Sequence, residues 1–155
     1  LDLCGALGFL HSQRLIHRDI KPANTLFVRG RPKLGDIGLV TAMSGSGEQV
    51  SYVGTKEYMP PEGPGAASAD IYSLGKLLYV AAMGLPPSSF PELPTGFESR
   101  PDRDALLALN KVLLQACEPE VDLRYPTAEA LMDALWGLNL VTDSSPADPV
   151  WPASA

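Results

Sequence analysis

The segment from Asp70 to Met83 limits the possible folds most, because it is apolar on nearly every side of a helix. A helix of this kind is stable in water only when other elements cover it all round. Gly84 and the pair Pro86-Pro87 follow it, and both residue types end helices. The sequence therefore predicts a buried central helix with the rest of the chain packed around it.

Apolar residues at helical spacing predict three further helices. The first ends near His11-Ser12, the second lies around Leu106 to Leu114, and the third is opened by Pro126 and carries Leu131 to Trp136 on its apolar face. Two short strands, Thr25 to Val28 and Lys33-Leu34, flank a turn at residues 29–32. We therefore expect a mainly α fold with one small β-hairpin.

The chain has 155 residues, of which 45% are hydrophobic, and this is the size of one domain with its own core. A long stretch from Val40 to Pro64 is rich in Gly, Ser, Thr and Pro and lacks apolar periodicity. Loops of such length are usually functional. From Ser144 the composition is rich in Pro, Ser and Ala, which favours disorder. The expected division is one folded domain over residues 1–140 and a disordered tail over 141–155.

Net charge excludes some functions. The formal charge of -6 argues against nucleic-acid binding and against a basic module on a membrane surface, since both need clustered Lys and Arg.

Cys4 and Cys117 are isolated in apolar helical patterns, so buried thiols are expected and a disulfide or metal framework is not. No apolar run reaches the ~18 residues of a membrane span. We therefore expect a cytoplasmic location with no membrane segment in this chain.

Five short strings recur in a fixed order along the chain. They are His17-Arg18-Asp19-Ile20-Lys21-Pro22-Ala23-Asn24, Asp36-Ile37-Gly38, the run from Gly54-Thr55 to Glu62, Asp70-Ile71-Tyr72-Ser73-Leu74-Gly75, and Leu123-Arg124-Tyr125. Each string alone could arise by chance, but five in this order hardly could. Together they resemble the C-terminal lobe of a eukaryotic-like Ser/Thr protein kinase of the bacterial type, over about residues 1–138.

The resemblance implies a set of chemical roles. Asp19 would accept or orient the proton of the substrate hydroxyl, and Lys21 would neutralise the phosphoryl group in transit. Asn24 and Asp36 would hold the Mg²⁺ ions that bridge the phosphates of ATP, and Leu26 would lie beneath the adenine. Taken alone, Asp19, Asn24 and Asp36 are more often turn residues and Lys21 a solvated surface lysine. The partners implied are ATP and proteins with Ser or Thr acceptors.

Other residues have structural or regulatory roles by the same resemblance. His17 and Ile37 would pack into a spine between the lobes, Asp70 would brace the catalytic loop, and Glu62 would form a buried ion pair with Arg124. The loop from Asp36 to Glu62 corresponds to an activation segment, and Arg18 would receive a phosphate from it. Candidate acceptors in this segment are Ser44, Ser46, Ser51 and Thr55, and Ser51 is our hypothesis for the autophosphorylation site.

Lys21 and the pair Gly54-Thr55 both favour Ser/Thr over Tyr specificity, because Thr55 would hydrogen-bond near Asp19 and Lys21. The chain contains no Gly-rich phosphate loop, no Val-Ala-x-Lys strand and no helix with the partner glutamate. We therefore expect the N-terminal lobe to be absent from it and the fragment alone to be inactive. Three alternatives stay open: an active Ser/Thr kinase as parent, a pseudokinase or scaffold that binds partners through this lobe, and an incomplete product with an exposed apolar face.

Overall fold

The computed structural model describes residues 1–43 and 55–138. Four of the features predicted from sequence lie outside these ranges, namely Ser44, Ser46, Ser51 and the tail over 141–155. The boundary near residue 140 therefore stays a prediction. Among the described residues, no helix is both long enough and apolar enough to cross a membrane.

Four α-helices form the framework of the described fold, as expected from the sequence. They are α1 (Asp2–Ser12), α2 (Ala67–Met83), α3 (Arg103–Ala116) and α4 (Ala128–Trp136). Helix α2 contacts both α1 and α3, and α4 packs against α1 and α3. The predicted central helix is thus confirmed as α2.

Two hydrophobic clusters lie against α2, and both contain residues of this helix. The first also joins α1 to α4 through Leu7 and Leu131, neither of which is exposed to solvent. The second includes Tyr79, Val80 and Leu113. Because side chains all round α2 are buried, this helix is a fixed base for the loops that lie across it.

The end of α2 agrees with the sequence prediction, whereas the start of α4 differs from it. Helix α2 stops at Gly84, whose φ of 66° lies in the left-handed region that glycine adopts without strain. Helix α4 begins at Ala128 and is capped by Thr127, whose hydroxyl accepts a hydrogen bond from the Ala130 amide at 3.1 Å. The expectation that Pro126 opens α4 was therefore wrong by two residues, because the capping hydroxyl of Thr127 sets the start.

The predicted β-hairpin is present. Strand β2 (Thr25–Val28) pairs antiparallel with β3 (Arg31–Leu34), and Thr25 lies opposite Leu34. The second strand begins two residues earlier than the sequence suggested. The two turn residues, Arg29 and Gly30, have φ values of 53° and 73°, as required by the tight turns that match the twist of a hairpin.

A second ladder was not expected from the sequence. Strand β1 (Leu15–Ile16) pairs antiparallel with β4 (Thr41–Ala42). Strand β1 precedes the hairpin in the chain, and β4 lies within the stretch that the sequence predicts as a long loop. The ladder ties the start of that loop to the residues just before His17.

Candidate active site

The backbone of the loop that follows β1 is held by one buried carboxylate. Asp70, on the first turn of α2, is only 1% exposed. Its two oxygens accept hydrogen bonds from the amides of His17 and Arg18, each at 2.8 Å. Arg18 itself has a φ of 72°, a conformation that side chains rarely adopt. The predicted bracing contact of Asp70 is therefore present, and it holds the loop in a strained turn just before Asp19.

His11 completes this anchor, and sequence reasoning did not single it out. Its Nε2 lies 2.9 Å from the Oδ2 atom of Asp70, so the last turn of α1 also contacts the loop's anchor. A single histidine at the end of an amphipathic helix carries no distinctive pattern. Only the tertiary arrangement brings it to Asp70, which lies 59 positions away in sequence.

The side chain of His17 joins this loop to the segment after β3. His17 is 1% exposed, and its Nε2 lies 3.1 Å from the Gly35 carbonyl. The Gly35 amide in turn donates to the Asn24 carbonyl at 2.8 Å. Asp36, the next residue, is thereby brought beside the loop that carries Asp19 and Asn24.

The carboxylate of Asp19 lies at the centre of a hydrogen-bonded cluster. The Nδ2 atom of Asn24 donates to its Oδ2 at 2.8 Å and to its backbone carbonyl at 2.8 Å. Thr55 donates twice to its Oδ1, from the amide at 3.0 Å and from the hydroxyl at 3.1 Å. Asp19 is 8% exposed. These bonds fix its side chain in one orientation.

Lys21 bridges Asp19 and Thr55. Its Nζ lies 2.8 Å from Asp19 Oδ2 and donates to Thr55 Oγ1 at 2.7 Å. A residue of the loop after β1 and a residue of the long loop thus meet at one ammonium group. The structure brings together Asp19, Lys21, Asn24 and Thr55, as the sequence predicted.

The charge state of Asp19 follows from these contacts. Burial by itself raises the pKa of the Asp19 carboxyl, but the hydrogen bonds from Lys21, Asn24 and Thr55 together outweigh that effect. The pKa therefore lies below its ordinary value. Asp19 is ionised at neutral pH and can accept a proton or a hydrogen bond.

Asn24 and Asp36 supply oxygen atoms of the kind that Mg²⁺ prefers. Because the Asn24 amide nitrogen donates both of its bonds to Asp19, its Oδ1 is the atom that can act as a ligand. Asp36 is exposed and has a φ of 50°, and its Oδ1 accepts the Gly38 amide at 3.2 Å. In residues 1–43 and 55–138 no group of three or more His, Cys, Asp or Glu forms a metal site of its own. The donor set fits an ion held jointly by protein and phosphate oxygens.

Leu26 and Ile37 flank this region. Leu26 is 56% exposed. Its side chain lies over Gly35, where an added Cβ would come within 3.0 Å of the Leu26 Cδ1. The backbone of Ile37 begins the short 3-10 turn Ile37–Leu39.

The predicted ion pair between Glu62 and Arg124 is present and bidentate. Arg124 NH2 donates to Glu62 Oε2 at 2.9 Å, and NH1 donates to Oε1. The Arg124 side chain is fully buried, whereas that of Glu62 is 32% exposed. Arg124 also donates to the carbonyls of Glu118, Ser68 and Pro119. This arginine therefore joins the segment after the long loop to α2 and to the turn before α4.

A shallow depression lies beside Asp19. Its walls are formed by residues of the loop after β1, of the segment from 55 to 59 and of α2. They are Arg18, Asp19, Ile20, Thr55, Tyr58, Met59 and Ser73. The Ser73 hydroxyl donates to the Tyr58 carbonyl at 2.9 Å, and this hydrogen bond joins α2 to the segment from 55 to 59 at the depression.

Comparison with known proteins places the chain in a family. Residues 1–139 match the model described as "Protein kinase domain". The chain is 33% identical over 147 residues to serine/threonine-protein kinase PknB of Mycolicibacterium smegmatis, with 82% of this chain and 23% of that protein covered. It is 36% identical over 168 aligned positions to serine/threonine-protein kinase D of a Synechocystis strain, with 97% of this chain and 32% of that protein covered.

The chain thus spans about a quarter of the length of the first of these relatives and about a third of the second. The family match covers all of the described residues, and these two relatives are serine/threonine-protein kinases of bacteria. This chain belongs to the protein kinase family, on its serine/threonine branch.

Proposed function

We propose that the full-length protein that contains this chain transfers the γ-phosphoryl group of ATP to serine or threonine hydroxyls of protein substrates. In this proposal the described residues are the C-terminal lobe. The observation that supports it best is the joint contact of Lys21 and Thr55 with the Asp19 carboxylate. In this arrangement the proposed base Asp19 contacts both the Lys21 ammonium group and Thr55, which would position the substrate hydroxyl.

Asp19 would act on the acceptor hydroxyl. The Asp19 carboxylate already accepts two hydrogen bonds from Thr55, one from Asn24 and one from Lys21, so the substrate hydroxyl would replace one of these donors when it binds. The lowered pKa keeps Asp19 ionised but makes it a weak base. Its main contribution is therefore to orient the attacking oxygen and to take up the proton late in the transfer. Lys21 would offset the negative charge of the phosphoryl group as it moves.

Asn24 and Asp36 would hold Mg²⁺ through their oxygen atoms, and Leu26 would contact the adenine. When bound, the metal neutralises charge that develops on the phosphate oxygens. Leu26 supports this assignment because it is exposed and lies next to Gly35, immediately before Asp36. An ATP-contacting surface must be open to solvent before the nucleotide binds.

The acceptor specificity is tested with three matched peptides that differ only in Ser, Thr or Tyr at one position. Incubated with labelled ATP and Mg²⁺, the full-length protein is expected to label the Ser and Thr peptides and to leave the Tyr peptide unlabelled. Labelling of the Tyr peptide at a similar rate would contradict the assignment of Lys21 and Thr55. Residues 1–155 alone are expected to label none of the three, because they lack the segments that cover ATP in the family pattern.

The long loop is the proposed site of control. We infer that Ser51 is the autophosphorylation site and that Arg18 receives its phosphate. Thr55 is an unfavourable acceptor, because its hydroxyl is already bonded to both Asp19 and Lys21. Mass spectrometry of the active full-length protein should find phosphate on Ser51; phosphate elsewhere in residues 40–55, or none, would contradict this assignment.

A further inference from the structure

Lys76 is an unusual residue at the middle of the central helix. Only 7% of it is exposed, although lysine is among the side chains that are least often buried. In the described part of the chain, none of the ion pairs involves it. Burial lowers the pKa of its ammonium group. Burial of the Lys76 ammonium group therefore costs free energy, and the contacts that offset this cost indicate the role of the residue.

Those contacts are made to the segment that follows α2. The Nζ of Lys76 donates to the Pro87 carbonyl and lies 4.9 Å from the centroid of the Phe90 ring. A cation over an aromatic face is attracted by the ring quadrupole, and more strongly where water is excluded. Lys76 thus holds the segment at two points, one on the main chain and one on a side chain.

Tyr79, three positions further along α2, holds the same segment from the next turn. Its hydroxyl donates to the Glu92 carbonyl at 2.9 Å, and its ring meets Phe90 edge-on with 5.2 Å between centroids. Residues at this spacing lie on one face of a helix. One face of α2 therefore fixes residues 87–92 in place.

The fixed segment borders the substrate side of the site. The 3-10 turn Pro87–Ser89 contacts the 3-10 turn Lys56–Tyr58. The second of these turns begins directly after Thr55, which donates twice to Asp19, and Tyr58 also lines the depression beside Asp19. A shift of residues 87–92 would therefore change the support under the wall of that depression.

We propose that Lys76 is a positioning residue that sets the binding of the protein substrate, because it fixes residues 87–92 against the turn Lys56–Tyr58. The proposal rests on the proposed kinase function. It assigns no chemical step to Lys76, which acts through residues that line the depression. Its effect should appear in the binding of the peptide and not in that of ATP.

The variant that tests this is Lys76→Met, which keeps the unbranched chain but removes the donor and the charge. In the full-length protein, we expect the KM for a serine peptide to rise about three- to tenfold, which is less than the roughly ten- to hundredfold worth of a hydrogen bond to a charged group, because Lys76 acts on the peptide only through residues 87–92. The KM for ATP should change by less than about twofold. The matched control is Lys111→Met, an exposed lysine on α3, which should leave both constants unchanged.

Hydrogen exchange provides a second readout that does not need activity. The amides of Tyr58 and Met59 bond within their turn, at 2.9 Å and 3.2 Å, and Lys76→Met should speed their exchange together with that of residues 85–92. Faster exchange confined to residues 85–92, or an unchanged peptide KM, would show that Lys76 is only structural and would overturn the proposal.

A third variant covers the case in which Lys76→Met does not fold. Phe90→Leu removes the aromatic contact but keeps the lysine, and the same two readouts should move in the same direction; no movement in either would overturn the proposal. If the wild-type protein transfers no phosphate at all, the proposed function fails, and the exchange measurement still decides whether Lys76 is coupled to the turn Lys56–Tyr58.

Discussion

At the scale of single residues, the hydroxyl of Thr55 contacts two charged groups of the candidate site. It donates to the Asp19 carboxylate at 3.1 Å and accepts from the Lys21 ammonium at 2.7 Å. Thr55 is thus the only one of the Asp19 partners in the described residues that comes from the far end of the long loop. Changes in that loop can affect the Asp19 carboxylate directly through this residue.

Replacing Thr55 with Val in the full-length protein removes these two contacts but keeps the shape. Loss of a hydrogen bond to a charged group predicts a fall in kcat/KM of about ten- to a hundredfold. The hydroxyl also lowers the pKa of Asp19, so its removal raises that pKa. The acidic limb of the pH–rate profile should therefore move to higher pH. Thr55→Ser keeps the hydroxyl and is the control; an unmoved acidic limb in Thr55→Val would contradict the account.

The ion pair of Glu62 with Arg124 predicts how stability depends on pH. Burial alone raises the pKa of Glu62, but the hydrogen bonds and the charge of Arg124 lower it by more. The pKa in the folded protein therefore lies below the ordinary value. The pair therefore stabilises the fold above the unfolded pKa of about 4.3. This stabilisation is lost as the pH falls through the lower, folded pKa.

Glu62→Gln should lower the free energy of unfolding at pH 7 by about 1.5–3 kcal/mol, the usual worth of hydrogen bonds to a charged group, because Gln keeps an acceptor but loses the charge. The dependence of stability on pH below about pH 5 should be shallower than in the wild type. Urea unfolding at a series of pH values measures both effects. Glu120→Gln, at an exposed position, is the control, and equal acid slopes for Glu62→Gln and wild type would refute the assignment.

Some residues of the candidate site could be predicted from the sequence, and others could not. Asp19, Lys21 and Asn24 could be named beforehand because they lie within one short string whose loop brings them together. His11 and Lys76 could not, because each acts on a partner that only the tertiary fold brings near. Lys76 was in addition hidden inside a helix that reads as apolar.

At the scale of elements, close packing between α2 and α3 depends on a missing side chain. A Cβ on Gly75 would lie 2.6 Å from the Cys117 Sγ and 3.0 Å from the Ala116 Cβ. Both neighbours belong to or directly follow α3, and Cys117 is buried. Burial also raises the pKa of the Cys117 thiol to about 12, so this sulfur is an uncharged packing atom at neutral pH. Gly75 therefore sets the distance between the two helices.

Gly75→Ala should destabilise the protein by about 1–3 kcal/mol, the usual cost of overpacking, although alanine favours helix formation. Gly5→Ala on α1 is the matched control, because an added Cβ there meets nothing within 4 Å. That change should stabilise by up to about 1 kcal/mol through helix propensity. Thermal unfolding of both variants measures the difference. A Gly75→Ala protein as stable as Gly5→Ala would contradict the packing described for α2 and α3.

The four helices could be predicted from sequence because their apolar spacing is local. The β1–β4 ladder could not, because each strand has two residues and its partner lies 26 positions away. Such strands leave no periodic pattern, and their pairing depends on the tertiary fold. The exact start of α4 was missed for a different reason, since Pro126 and Thr127 are both plausible first residues and only the cap geometry decides between them.

At the scale of the whole molecule, the exposed apolar residues of the hairpin lie next to the proposed metal-binding segment. Leu26 and Val28 are 56% and 52% exposed and lie on one face of β2. Leu26 also contacts the glycine before Asp36. In the proposed kinase this face is where nucleotide and the second lobe bind, so its exposure is expected of the described residues taken alone.

In the proposed kinase, Asp19 orients the acceptor hydroxyl in phosphoryl transfer. Asp19→Asn keeps the size of the side chain but removes its charge, so it separates catalysis from folding. The matched control is Asp102→Asn, because that carboxylate is 46% exposed and forms its ion pair with Arg100, two residues away.

The direct measurement is the rate at which the full-length protein transfers labelled phosphate from ATP to a serine peptide. Asp19→Asn should lower this rate by about 10²–10⁴-fold, the usual contribution of a general base, while the unfolding temperature stays within a few degrees of wild type. Asp102→Asn should match wild type in both. Wild-type turnover in the Asp19→Asn protein, or no turnover in the wild type itself, would contradict the account and point to a scaffold.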